Sequence, residues 1–294
     1  MEFKKITLDC VTELNKILRN ANGELSCEIS FVNLLIWQPL YNNCFCYEDG
    51  ILYLKSYDDK IETYGLPFGD MKKGMNKIAE HCGAQYPNIW AQAGTRFDTF
   101  KKLYGKYYDI TESRNEFDYI YNSCDLANLS GKKYHSKRNH IATFSKQFTW
   151  HYEDITDSNV GQVKKCAEIW YSQNRDRMDD ELETEMHGVF LMLQNMNILG
   201  IKGGAVVTDG KVVAFTLGSP INEKIYNIHI EKALKGYENA YTVINREFAV
   251  HNLEKYKYIN REDDLGFEGL RRSKLSYKPE ILLPKYICIK KENI

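Results

Sequence analysis

Val206-Val207-Thr208-Asp209-Gly210, running on into Val212-Val213-Ala214-Phe215, decides the fold. Two β-branched runs meet at an Asp-Gly pair, the pairing that a tight hairpin turn demands. Upstream, Ile155-Thr156-Asp157 opens a helical stretch. Downstream, Tyr226-Asn227-Ile228-His229-Ile230 reads as a strand leading into a helix, and Tyr258-Ile259-Asn260 as a short strand after it. The same order of landmarks runs through the first half. Ile6-Thr7 opens a helix-like stretch, Tyr47-Glu48-Asp49-Gly50 turns one strand into Ile51-Leu52-Tyr53-Leu54, Tyr64-Gly65-Leu66-Pro67-Phe68 leads into a helix, and Asn88-Ile89-Trp90 is the short strand. A recurrence at half the chain length predicts two copies of one domain, since a solenoid repeats every ~20–50 residues.

Local patterns fill in the elements. Leu8, Val11, Leu14, Ile17 and Leu18 recur at helical spacing and predict a helix over 5–20. A second is expected over 30–40, ended by Pro39, then a hairpin of 44–47 with 51–56, and a helix over 71–82. In the second half, helices are expected over 160–174, 181–195 and 238–256, with a hairpin over 201–220 and a strand over 225–230. The long helix would bury Ala240, Val243, Ile244 and Phe248. Two helices, an antiparallel meander, a helix and a final strand pair describe an α+β domain whose mixed, mostly antiparallel sheet is flanked by helices. The expected domains are 1–125 and 151–294. Residues 126–150, which hold Lys132, Lys133, Lys137, Arg138 and Lys146 and no acidic side chain, are the expected linker and inter-domain contact.

Composition bounds the function. Hydrophobic residues at 43% and charged residues at 27% over 294 positions are those of an ordinary globular chain with a sizeable core. A net charge of −1 supplies no global field for polyanions, so DNA is excluded as an expected partner and any phosphate contact must rest on local basic patches. No apolar run reaches the ~18 residues of a membrane span or the make-up of a signal peptide, so a cytoplasmic location is expected. The eight cysteines are scattered and read as reduced structural thiols. With no Cys-x-x-Cys, and with His135 and His140 lacking a third ligand, no metal site is expected.

The duplicated element order resembles the acyltransferase fold of the Gcn5-related N-acetyltransferase superfamily. Four segments are more specific: Gly131–Ile141, Asn260–Gly266, Gly269-Leu270-Arg271, and Lys274–Pro279. They resemble the soluble bacterial family related to the C-terminal catalytic domain of phosphatidylglycerol lysyltransferases, over nearly the whole chain. Its members are similar to the tandem acyltransferase-fold proteins that build peptidoglycan cross-bridges from aminoacyl-tRNA. The resemblance therefore implies aminoacyl or acyl transfer to an amine or hydroxyl on a lipid, peptide or small molecule. It also implies a cleft between the copies, with the second copy carrying most of the chemistry and the first degenerate. An acetyl-CoA-dependent N-acetyltransferase and a non-catalytic ligand-binding or regulatory protein are the alternatives.

Candidate residues follow from that chemistry. Aminolysis of an ester needs a neutral amine, help with its proton and donors for the developing oxyanion, and the acidic turn Glu262, Asp263 and Asp264 is the candidate base. Lys137, Arg138 and Asn139 form a compact donor set suited to phosphate or a carbonyl, and Asn260 adds an amide at the strand end. Lys232 and Lys235 are the phosphate candidates of Glu231–Ala240, where a single glycine, Tyr237 and the repelling Glu238 suit a coenzyme A pyrophosphate poorly. Arg271 and Lys274, three apart, with Tyr277 and Lys278 beyond, would grip a phosphate or the tRNA acceptor end, Tyr277 stacking on a base. No Ser/His/Asp or Cys/His motif is legible; Gly218-Ser219-Pro220 lacks the glycine pattern of a nucleophile elbow.

Overall fold

The computed structural model describes residues 1–19, 24–58 and 61–292. Its first elements are β1 (Lys4–Lys5), α1 (Val11–Arg19), α2 (Phe31–Ile36), α3 (Gln38–Tyr41), β2 (Cys44–Glu48), β3 (Ile51–Asp58), β4 (Ile61–Gly65), α4 (Met71–Cys82), β5 (Ile89–Gln92), α5 (Thr95–Tyr104) and β6 (Tyr108–Glu112). There follow β7 (Asp118–Asn122), α6 (Ser123–Asn128), α7 (His135–Gln147), β8 (Trp150–Asp154), α8 (Val160–Gln173), α9 (Asp180–Gln194), α10 (Met196–Leu199), β9 (Lys202–Thr208), β10 (Lys211–Pro220) and β11 (Ile225–Ala233). The last are α11 (Ala240–Asn252), β12 (Tyr258–Asn260), α12 (Glu268–Ser276), β13 (Ile281–Leu283) and β14 (Lys285–Lys290). The first predicted helix begins only at Val11, and Asn20 lies outside the described residues.

Among the described residues the strands form two seven-stranded sheets, ordered β1-β2-β3-β4-β5-β14-β6 and β13-β7-β12-β11-β10-β9-β8. Each holds one parallel pair among antiparallel neighbours, β4 with β5 and β11 with β12, so the two copies share their odd pairing as well as their order. Both predicted hairpins turn on Asp-Gly with both residues at positive φ, Asp49 and Gly50 at 53° and 76°, Asp209 and Gly210 at 50° and 71°. That geometry matches the right-handed twist of the flanking strands.

The expected domain boundaries need correction, because the halves exchange strands. β7 lies inside 1–125 yet pairs with β12 and β13 in the second sheet. β14 lies inside 151–294 yet completes the first sheet between β5 and β6. Nor is 126–150 a linker: it holds α7, which packs on α11 and drives the fully buried Phe144 against Val206, Val213 and Ala214 of the second sheet. Just before α7, the buried Tyr134 donates a hydrogen bond to the Tyr277 carbonyl at 3.0 Å. Two buried aromatic anchors outweigh the basic composition that suggested a solvated connector.

The second sheet is covered by α11 on one face, through Phe248, Ala249 and Leu253. Its other face meets α8 and α9 together with α2 of the first half, in one core spanning both halves. The functional candidates lie where these layers meet the end of β12.

Candidate active site

β11 and β12 run parallel from Ile225 opposite Tyr258 to Asn227 opposite Asn260, where β12 ends while β11 continues to Ala233. On its other side β11 carries a bulge. Leu217 of β10 faces Ile230 but Gly218 faces Ile228, so His229 is the extra residue. Regular alternation would place Asn227, His229 and Glu231 on one face. The bulge instead keeps Asn227 and His229 toward α2 and turns Glu231 toward α11, where Asn245 donates to it at 3.1 Å. Beyond Asn260 the gap between the strands is bridged only by side chains. Arg261 Nη2 donates to Glu231 Oε1 at 2.7 Å on the α11 face, and Asn227 Nδ2 donates to Glu262 Oε1 at 2.7 Å on the α2 face.

The three residues of the acidic turn have three different fates. Asp264 is fully buried and accepts from Arg271 Nε and Nη2 at 2.9 and 2.8 Å, from Arg114 Nη1 at 3.2 Å, and from the Tyr119 hydroxyl. Burial works against its charge, but Arg271 and Tyr119 hold the carboxyl far below the usual carboxylate range, so it anchors the turn and cannot serve as a base. Glu262, at a φ of 55°, accepts from Asn227 and from Asn33 Nδ2 of α2 at 3.4 Å, and its Oε1 lies 3.2 Å from His229 Nδ1. Asp263 is partly exposed, and its carboxylate meets no hydrogen-bond donor among the described residues. Burial of that carboxyl, together with Asp118 and Glu262 nearby, pushes its pKa up to about 7 against the pull of Lys285 and Lys274. Asp263 thus combines partial exposure with a pKa near neutrality, the two properties a general base requires.

The expected binding set is split apart. Lys137, Arg138 and Asn139 are consecutive on α7, so successive side chains point about 100° apart. Arg138 closes the preceding turn on the carbonyls of Leu129 and Gly131, and Asn139 Nδ2 meets His135 at 3.1 Å. Lys137 alone points inward. It is 7% exposed, its ammonium lies 3.7 Å from the Tyr277 ring centroid, and it meets no acceptor among the described residues. Burial, with Arg261 beside it, lowers its pKa to about 8.

Other candidates are already engaged in structure. Lys232 is paired with Glu185 at 2.6 Å beneath the Trp170 ring, and Lys235 Nζ is spent on the Gln173 carbonyl, so neither is free for a phosphate. Asn260 is fully buried between Asp118 and the Leu25 carbonyl, at 2.8 and 2.9 Å. Arg271 and Lys274 do share a side of α12, but both clamp the acidic turn, Lys274 through the carbonyls of Arg261 and Asp263. Tyr277 is buried beneath Lys137, with the Arg261 guanidinium 4.9 Å from its ring, so it has no free face for a base. Lys278 is exposed just past α12 in a left-handed conformation, at a φ of 54°.

What sequence reading missed is the polar lining of the gap: Glu231, Arg261, Asn245, Asn227, His229 and Ser219. Three of its buried atoms have no partner among the described residues, namely Arg261 Nη1, Asn245 Oδ1 and Asn227 Oδ1. The signal was present in Tyr226–Glu231, where polar residues alternate with apolar ones inside a strand, but the bulge that gives them meaning is not visible in sequence. Two surface clefts of about 240 and 260 Å³, beside Met196 and beside Tyr47, contain none of these residues. No helix among the described residues is long and apolar enough to cross a membrane.

Comparison with known proteins agrees with this architecture. A conserved protein of unknown function from Bacteroides thetaiotaomicron is 34% identical and superposes with a TM-score of 0.91 over 99% of this chain and 100% of its own. L-PGS from Bacillus licheniformis shares the fold at 17% identity and a TM-score of 0.62, over 96% of this chain and 92% of its own. FemX does so at 10% identity and a TM-score of 0.55, over 100% of this chain and 98% of its own. The fold is thus a tandem acyltransferase-like one. Residues 21–289 match the family described as phosphatidylglycerol lysyltransferase, C-terminal, and the chain belongs to that family.

Proposed function

We propose that the chain moves an aminoacyl group from the ester of an aminoacyl-tRNA to an amine or hydroxyl acceptor at the parting of β11 and β12. The observation that carries this reading is the Asp263 carboxyl, without a hydrogen-bond donor among the described residues and with a pKa of about 7, in the turn that follows the end of β12. Asp263 takes the proton of the acceptor as its nitrogen or oxygen attacks the ester carbonyl. A base of matched pKa contributes roughly 10²–10⁴-fold, or about 3–5 kcal/mol of the barrier. On the α11 face, Lys137 and the unpartnered Nη1 of Arg261 are donors for the terminal phosphate of the donor, and Asn245 Oδ1 accepts from a ribose hydroxyl.

Coenzyme A is the weaker donor. Its pyrophosphate needs free amides at the start of α11, but Ala240, Thr242 and Val243 already donate to the carbonyls of Tyr237 and Asn239. An aminoacyl-tRNA donor sets the reaction in the cytoplasm; the acceptor is a lipid, a peptide or a small amine. The test is to incubate the protein with charged total bacterial tRNA, follow ester loss for each amino acid, and trace label into added acceptors. Accelerated loss of one amino acid with label in a new product supports the reading, and loss at the background rate with every acceptor class overturns it.

A further inference from the structure

On the α2 side of the gap, three side chains from separate strand segments form a line that the transfer chemistry leaves unused. Ser219 Oγ on β10 lies 2.8 Å from His229 Nε2 on β11, and His229 Nδ1 lies 3.2 Å from Glu262 Oε1 after β12. The imidazole is completely buried. A single ring proton has two places to sit. On Nδ1 it donates to Glu262 and leaves Nε2 to accept from Ser219; on Nε2 it donates to Ser219, and Nδ1 accepts from Asn227 Nδ2 at 3.0 Å. The negative charge of Glu262 selects the first arrangement, in which nucleophile, base and orienting carboxylate stand in hydrogen-bond sequence.

A second observation points to a ligand here. Asn227 is fully buried, its amide nitrogen is committed to Glu262, and its Oδ1 has no partner among the described residues. An orphaned acceptor beside the serine is worth keeping only if a donor on a bound molecule meets it. Ser219 pairs with Asn227 across the sheet and His229 follows two residues later, so all three share one face, while the bulge turns Glu231 away to the other.

We infer that Ser219 is a nucleophile and that this centre cleaves small carboxylic esters that carry a hydroxyl or N–H donor for Asn227 Oδ1, an activity independent of any tRNA. Ser219 Oγ bonds to the ester carbonyl carbon as its proton passes to His229 Nε2. The bond from that carbon to the alcohol oxygen breaks, and the oxygen leaves with the proton from His229. Water then attacks the acyl-serine, its proton passing to His229 and on to Ser219 as the acid departs. Nothing is oxidised or reduced, and water is the co-reactant.

The experiment treats the full chain with diisopropyl fluorophosphate, maps the adduct by peptide mass spectrometry, and follows p-nitrophenyl acetate hydrolysis in parallel. One adduct is expected, on Ser219, absent in Ser219→Ala. His229→Gln should slow both labelling and hydrolysis by about 10²-fold or more. Glu262→Gln should slow them less, with partial recovery in Glu262→Asp, as befits a positioning residue. Ser219→Cys guards against misfolding of the histidine variant, since its thiol should be alkylated by iodoacetamide far faster at pH 7 than the free buried thiol of Cys166. An unlabelled Ser219 in folded protein, or labelling undiminished by His229→Gln, overturns the proposal.

Discussion

Asp118 on β7 and Lys285 on β14 form an ion pair at 2.9 Å, buried on both sides, and each residue sits in the sheet built mainly by the other half of the chain. Cys27 N and Asn260 Nδ2 also donate to Asp118, each at 2.8 Å. Burial disfavours both charges, yet Lys285 draws the Asp118 carboxyl below its ordinary value, and Asp118 lifts the Lys285 ammonium well above its own.

Removing one partner strands a buried charge, so Asp118→Ala should cost about 3–5 kcal/mol, read from the urea midpoint. Lys285→Met should cost a similar amount, and Asp118→Leu with Lys285→Met together less than the sum. The sign with pH follows from the depressed carboxyl. Its contribution is present above the unfolded value of ~3.9 and is lost as pH falls through the lower folded value. Asp118→Ala should therefore flatten the acid limb of the stability curve; strictly additive single costs would show that the two charges do not support each other.

Asp263 gives the opposite slope. With a folded pKa of about 7 and an unfolded one of ~3.9, the folded state holds more protons in between, so ionisation lowers stability as pH rises from about 4 to 7. Asp263→Asn should thus narrow the gap between melting temperatures at pH 5 and pH 8 while reducing transfer by roughly 10²–10⁴-fold. The wild-type transfer rate should climb through pH 7 and level off. A variant as active as wild type would remove Asp263 from the mechanism.

Lys137 is a buried ammonium with no ion-pair partner in contact among the described residues, Glu231 offsetting only part of what burial and Arg261 cost it. Because its folded pKa is about 8 against ~10.4 unfolded, the unfolded state binds more protons between those values and stability rises with pH there. Lys137→Met should abolish that rise, leave the melting temperature at pH 7 unchanged or higher, and weaken donor binding by about tenfold. Wild-type donor affinity should fall above pH 8, where the amine is neutral. Unchanged affinity in the variant would leave Lys137 as a packing residue.

Gly218 sets the approach of β10 to the bulge. A methyl group there would stand 2.4 Å from the Asn227 carbonyl oxygen and 2.5 Å from the Tyr226 ring. Gly218→Ala should destabilise by roughly 1–3 kcal/mol and disturb the Ser219–His229 contact. Gly161, on α8 with nothing within 4 Å of an added methyl, is the control, where Ala should stabilise by about 0.5–1 kcal/mol. Equal effects at the two sites would show that β10 yields freely.

The hairpins at Asp49-Gly50 and Asp209-Gly210, the short strands β5 and β12, and the helix burying Val243, Ile244 and Phe248 were legible because each rests on local turn chemistry or periodicity. The exchange of β7 and β14 was not, because their pairing joins segments more than 130 residues apart, such as Tyr121 with Ile259. α7 escaped for a different reason: only Tyr134, Lys137 and Phe144 along its inner side are buried, and a lysine among them reads as solvated. The acidic turn was found, but its division into the anchor Asp264, the network residue Glu262 and the free Asp263 depends on Arg114, Tyr119 and Arg271, which converge only in three dimensions.

The exchanged strand also orders events during synthesis. β14 lies between β5 and β6, so the first sheet stays divided, with two unsatisfied edges, until residues 285–290 have left the ribosome. The N-terminal half is made first yet closes last, and for most of translation its open edges rely on the nascent chain's remaining soluble. A chain arrested before Lys285 would therefore hold every strand of the second sheet alongside a first sheet still split between β5 and β6.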